Sequence, residues 1–181
     1  MVWSLVKRLR EKSFSWGLGG VHLQHSVACY TIGMNITQIA QQILATHYPN
    51  RPVPVDIGSV ARSMGLNPLV GEGPQKAIWS DTCVTGYGQT LNRQKFSVAY
   101  ALAQRILYGG VGEHTVEQWT DTYDPKIINA RRLAEEILVP TYPLKIVVED
   151  QGCTSVAKMA ATFDVSEVLV VERLKRQRYI R

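Results

Sequence analysis

From Met34 onward, apolar residues recur at helical spacing. Ile36, Ile39, Ala40, Ile43 and Leu44 fall at i, i+3, i+4, i+7 and i+8, which is one face of a helix. Asn35 or Thr37 can cap its first turn. The run Asn50-Arg51-Pro52-Val53-Pro54 stops that helix, because proline removes an amide donor and restrains its predecessor. Asp56 then caps a second helix, Ile57–Met64, closed by Gly65. Ala77–Ser80 and Val84–Leu91 read as strands on either side of Asp81-Thr82, with Gly86 and Gly88 marking bulges or a close backbone approach.

The helical period returns over residues 94–108, where Phe96, Ala99, Leu102, Ala103, Ile106 and Leu107 share a side and Gly109-Gly110 ends the run. A polar loop, Glu113–Tyr123, separates it from a helix over Pro125–Leu138, with proline in the first turn and Pro140 past the end. Ser155–Phe163 and Ser166–Lys175 form a helix-turn-helix-like pair around Asp164-Val165. Residues 1–33 differ from all of this: a short basic run precedes a Gly-rich, His-containing stretch without clear periodicity. They are expected to be a leader preceding a true start at Met34, or an arm that a partner orders, leaving 34–181 as the folded domain.

Composition changes the picture in two places. With 45% hydrophobic and 19% charged residues, the chain belongs with globular rather than disordered proteins. The net charge of +5 belongs to the ends: residues 1–33 carry +3 and 172–181 carry +4, so 34–171 is slightly acidic at −2. A basic C-terminus can attract nucleic acid or an acidic partner, or it can be a solvated helix end. Cys29, Cys83 and Cys153 are odd in number and widely spaced, which argues against a disulfide framework and for a reducing, cytoplasmic setting. No stretch reads as a membrane span. An N-terminal export signal is rejected, since His22, Gln24 and His25 interrupt the apolar region it would need.

The ordered set of motifs resembles the ImmA/IrrE metallopeptidase family over about residues 34–178. Pro54-Val55-Asp56 is similar to that family's lead into its second helix. Leu91-Asn92 followed by Lys95-Phe96-Ser97-Val98-Ala99 resembles its approach to the active site. Leu133-Ala134-Glu135-Glu136-Ile137-Leu138-Val139-Pro140 resembles its later helix end, and Val156–Leu174 its closing helices. The resemblance implies an α+β, zincin-like minimal metallopeptidase fold: a long N-terminal helix, a small sheet, a central helix that bears the active site in active members, and a C-terminal helical cluster.

In active members a His-Glu-x-x-His helix binds zinc through two histidines four residues apart, and the glutamate activates the metal-bound water. A carboxylate on a later helix is the third ligand. By the resemblance, those positions are Tyr100, Ala101 and Gln104, with the third ligand near Asn129. All four have changed. An amide oxygen is a poor zinc donor and alanine accepts no proton. A phenolate could coordinate zinc, but ionising a phenol with a pKa near 10 is costly. No catalytic residue, metal or cofactor is therefore expected, although zinc belongs to the active members.

Other candidates carry less chemistry. Cys83 could act as a nucleophile beside His47 or His114, or be a small buried thiol. His22 and His25 make a poor metal site alone. The C-terminal helix pair offers Arg173, Lys175, Arg176 and Arg178 to DNA or a protein, or else packs into the core, as the apolar Val168, Val170 and Val171 favour. The resemblance implies a regulatory setting in a phage, mobile element or bacterial stress regulon, with a helix-turn-helix repressor as partner. The expected function is a catalytically inactive, protein-binding regulator. A residual or metal-independent peptidase and a DNA-binding module are the alternatives.

Overall fold

The computed structural model describes residues 34–49, 53–71, 76–78, 82–86, 90–109 and 124–181. The expectations for residues 1–33, the loop at 113–123, and His22, His25 and His114 lie outside these residues. The architecture is α+β, mostly helical, with one small sheet.

Helix α1 spans Ile36–His47 and begins with a reciprocal cap. Asn35 accepts from the Gln38 amide and the Gln38 side chain accepts from the Asn35 amide, both at 2.9 Å. Thr37 is therefore not the cap, and its hydroxyl instead donates to Glu136 at 3.3 Å. Helix α2, Ile57–Ser63, is capped by Asp56, which accepts from the Ser59 amide at 3.1 Å. It closes through Gly65 at φ 75°, a left-handed turn that glycine adopts without a Cβ penalty.

Three strands form the sheet in the order β1-β3-β2: β1 is Asn67–Gly71, β2 Lys76–Ile78 and β3 Thr82–Gly86. β1 runs parallel to β3, with Asn67 opposite Thr82, and β2 runs antiparallel to it, with Lys76 opposite Val84. Only two of these strands are expected from the residue pattern, which does not reveal β1. Its second residue is Pro68, which reads as a breaker but is tolerated on an edge strand. The anticipated strand Val84–Leu91 is also too long. Its described part stops at Gly86, and Leu91 begins the next helix because the Thr90 hydroxyl accepts from the Arg93 amide.

That helix, α3, spans Leu91–Tyr108 and ends at Gly109 in the left-handed region. Ser97 through Gln104 are buried without a break, so α3 is surrounded rather than half-exposed. It packs on α2, on β3 and on α4, which spans Pro125–Leu138. Asp124 caps α4, accepting from the Lys126 amide at 2.8 Å, with proline in the first turn as read from the sequence.

A short helix α5, Thr141–Lys145, continues into a π-helical turn over Ile146–Asp150. Neither is anticipated, because Pro140 and Pro143 interrupt the pattern. Helices α6, Val156–Phe163, and α7, Glu167–Arg176, are each capped by a serine and joined through Asp164 in the left-handed region. Lys95 of α3 forms an ion pair with the Asp164 carboxylate and so ties the central helix to this turn. One continuous core joins α1, α2, α3, α4, α6 and α7, with Ile43, Leu102, Leu133 and Phe163 among its members. Of the valines on α7, Val170 is fully buried whereas Val168 is 72% exposed.

Candidate functional site

Tyr100, Gln104 and Tyr108 lie at i, i+4 and i+8 on α3, one above another along the face toward α4. Tyr100 is 2% exposed, Gln104 6% and Tyr108 41%, so the row climbs from the core to the surface. The Gln104 Nε2 donates to the Tyr100 hydroxyl at 3.2 Å, while the buried Gln104 Oε1 has no hydrogen-bond partner. The Tyr100 ring stacks on Phe96, with centroids 6.5 Å apart.

Asn129, on α4, lies beside Tyr108, one turn beyond Gln104 on α3, and its side chain opposes the burial-driven rise in the Tyr108 pKa. Burial pushes Tyr100 up to about 12, opposed by the Gln104 hydrogen bond and reinforced by Asp124 and Tyr108. Tyr108 is also raised, mainly by burial.

These side chains do not fit zinc. Tyr100 is held as a neutral phenol, Gln104 and Asn129 offer only amides, and Ala101 offers a buried methyl group. No three His, Cys, Asp or Glu side chains gather as metal donors among the described residues.

The Tyr100 environment makes a direct prediction. Its folded pKa lies above the ordinary value of 10.0, so its contribution to stability is complete below that pH and fades as pH rises toward about 12. A spectrophotometric phenolate titration is expected to show a late-titrating tyrosine component near pH 12. Loss of the late-titrating component in Tyr100→Phe would assign it.

A second polar cluster is far more extensive, and reading the sequence alone does not find it. Glu135 is completely buried and Glu136 nearly so, both within an otherwise apolar helix end. Glu136 meets the Arg173 guanidinium at 2.6 Å, and both side chains are 3% exposed. Its other oxygen accepts from the Thr141 amide at 2.8 Å and from the Thr141 hydroxyl at 2.5 Å. Arg173 also donates to the Val139 carbonyl at 3.1 Å and to the Thr141 hydroxyl at 3.0 Å. Glu135 lies 3.0 Å from Arg131 and 3.1 Å from Arg176; desolvation raises its pKa and the arginines oppose that rise.

Arg173 is therefore not the DNA or partner contact expected from the sequence: it is an internal cation, neutralised within the fold. Arg176 is likewise engaged with Glu135 and Lys175 lies 3.7 Å from Glu172, while Arg178 follows the helix at φ 62°. The available signal was two adjacent glutamates inside the apolar stretch Leu133–Pro140, which require buried cations.

The remaining candidates are dispersed. His47 Nδ1 sits 3.2 Å from the Ser63 hydroxyl, and burial lowers its pKa. Cys83 lies on β3 opposite Pro68 and Ala77. A cavity of about 500 Å³ between the end of α1 and α5 is lined by residues such as Leu44, Tyr48, Val55, Tyr142 and Ile146; it has apolar walls and lies apart from the Tyr100 row. No described helix is long and apolar enough to cross a membrane. Compared with protein-family models and with curated protein sequences, the chain has no match.

Proposed function

We propose that this chain is a catalytically inactive, ImmA/IrrE-like protein with a zincin-like fold. On this reading it acts in the cytoplasm as a protein-binding regulator of the repressor or antirepressor type, in a phage, mobile element or stress regulon. The observation that carries the reading is the Tyr100–Gln104 pair: the positions that resemble the two zinc histidines hold a neutral phenol hydrogen-bonded to an amide, with Ala101 in place of the base. Without a metal-lowered water pKa or a proton acceptor, a zinc-peptidase mechanism has no nucleophile at neutral pH.

A groove can still bind a chain after its metal ligands are gone. β2 lies at an edge of the sheet, and an extended segment of a helix-turn-helix repressor could add to such an edge through main-chain hydrogen bonds. The DNA-binding alternative loses ground because Arg173 and Arg176 are committed to internal glutamates. A metal-independent peptidase would need another nucleophile and base. Ser63 beside His47 has the residue types, but the Val60 carbonyl, 2.8 Å from the Ser63 hydroxyl, competes with the imidazole 3.2 Å away for its proton.

The reading is tested by rebuilding the site with Tyr100→His, Ala101→Glu, Gln104→His and Asn129→Glu together. After dialysis the rebuilt protein is expected to retain about one zinc per chain by atomic absorption, and the unmodified chain none. Stoichiometric zinc in the unmodified protein would overturn the reading. A rebuilt protein that folds but holds no zinc would show that these four positions do not correspond to the ligands.

A further inference from the structure

Three arginines where α4 meets α7 carry more charge than the fold neutralises. Arg131 and Arg132 are exposed neighbours on α4, and Arg176 lies in the last turn of α7. The buried Glu135 carboxylate anchors two of them: Arg131 reaches it through Nε at 3.0 Å and Arg176 through Nη2 at 3.1 Å. Arg132 makes no ion pair among the described residues, yet it acts on the same place. Burial lowers the Arg176 pKa, Glu135 opposes the fall, and the like charges of Arg132, Arg131 and Arg173 add to it. Arg173 is cancelled by Glu136 inside the core. What remains is three guanidiniums against one carboxylate, a surplus of two positive charges in one neighbourhood.

That surplus is open to approach. The Arg131 side chain is 44% exposed and that of Arg176 29%, and Arg132 is exposed as well. Arg131 and Arg176 each bond Glu135 through a single nitrogen, so among the described residues their other N–H donors meet no protein acceptor. Glu135 meanwhile holds both heads in place, so a ligand finds them ordered in advance. Like charges this close repel, and an anion that meets all three relieves the repulsion.

Charge and openness together select the ligand. A carboxylate brings one charge and two oxygens and would leave a cation unmet. A phosphate monoester brings about −1.5 to −2 at pH 7 and three terminal oxygens, which suits a surplus of two and three guanidinium forks. A nucleic-acid backbone repeats its charges along a line and is followed by a row of cations. Here the next basic residues along α7 are engaged, Arg173 by Glu136 and Lys175 by Glu172. A small free ligand is normally enclosed, whereas these arginines line neither the cavity of about 500 Å³ nor the smaller one at the start of α6. An open patch suits a phosphate presented on a larger molecule.

We propose that Arg131, Arg132 and Arg176 form a docking site for a phosphorylated side chain, a phosphoserine or phosphothreonine, on a bound protein. This rests on the protein-binding reading given above, and it adds the chemistry by which a partner would be read.

The probe is a fluorescein-labelled glycine–alanine peptide carrying one phosphoserine, titrated into the full-length protein and followed by anisotropy. Saturable binding is expected, more than about tenfold tighter than that of the same peptide with serine or glutamate at that position, because the hydrogen bonds to a dianion are lost. Arg132→Gln leaves the Glu135 bridges in place and should weaken the phosphopeptide about tenfold. Lys158→Gln, on α6, removes the same charge outside the cluster and should change binding by less than about twofold. No saturable binding would overturn the proposal. So would equal binding of the phosphoserine and glutamate peptides, or equal effects of the two variants, which would make net charge the cause. A site that took inorganic phosphate but excluded the peptide would serve the free ion, and duplex DNA bound more tightly than the peptide would make the patch a nucleic-acid surface; either overturns it. The wild-type titrations stand even if a variant does not fold. The outcome also separates the two readings. Phosphopeptide binding by a chain that retains stoichiometric zinc would remove the inactive-enzyme reading and keep the site. A zinc-free chain without phosphopeptide binding would remove the site and keep that reading.

Discussion

Arg173→Ala is expected to destabilise the protein by about 3–5 kcal/mol, because it leaves the Glu136 carboxylate buried without its cation. Both side chains are 3% exposed and 2.6 Å apart, so bulk solvent can screen or rehydrate neither. The same guanidinium also serves the Val139 carbonyl and the Thr141 hydroxyl, whose hydrogen bonds are lost with it. Urea unfolding should show the loss, together with a fall in Tm of about 10 °C. Arg178→Ala, at an exposed position just past the end of α7, is the control and should change stability by less than about 0.5 kcal/mol. If Arg173→Ala were as mild as Arg178→Ala, Arg173 would be free to meet a partner, as the sequence first suggested. Glu136→Gln combined with Arg173→Met should recover part of the deficit, since replacing both charges removes the unpaired one.

This network changes what the basic C-terminus means. Net charge counts every arginine alike, but the fold commits Arg173 to Glu136 and Arg176 to Glu135. Thr37 of α1 and Thr141 of α5 converge on Glu136 as well, so one carboxylate joins the first helix, the fourth, the fifth and the last. The helix-turn-helix-like pair is therefore anchored as part of the domain body. Its buried Val170 and exposed Val168 fit a helix that packs on one side.

The helices were legible because their signals are local. Asp56 caps where the sequence places it, Asn35 is the one of the two offered caps that the fold uses, and Pro125–Leu138 keeps the bounds its prolines mark, while Ser155 and Ser166, read as the first residues of their segments, serve as caps. The sheet was less legible. Its pairing is non-local, β1 carries a proline, and β2 has only three residues, too few to show alternation. At the candidate site, the resemblance pointed to Tyr100 and Gln104, and their four-residue spacing puts them on one face of α3, from which their hydrogen bond follows. The placement of Asn129 beside Tyr108 depends on how α3 and α4 are set against each other, which no single segment records. The Glu136–Arg173 pair joins two helices distant in the chain and depends on the same kind of information.

Tyr100→Ala is expected to cost about 3–5 kcal/mol, the range for removing a large buried aromatic side chain and leaving a cavity. Tyr100 is among the largest fully buried side chains, and truncation would also strip Phe96 of its stacking partner. Tyr100→Phe separates the ring from its hydroxyl. It keeps the packing but leaves the Gln104 Nε2 without its acceptor, at a cost of about 1–3 kcal/mol. Adding Gln104→Leu to Tyr100→Phe should return much of that loss, because two apolar partners leave no buried amide unsatisfied. Denaturant unfolding of the three variants reads the series. A Phe variant as stable as the parent would mean that the hydroxyl contributes nothing to holding Gln104. A Phe/Leu double variant less stable than the Phe variant would mean that the Gln104 amide is supported by contacts other than Tyr100. The ordering expected where a phenol and an amide fill the core together is Ala far below Phe, with the double variant above Phe.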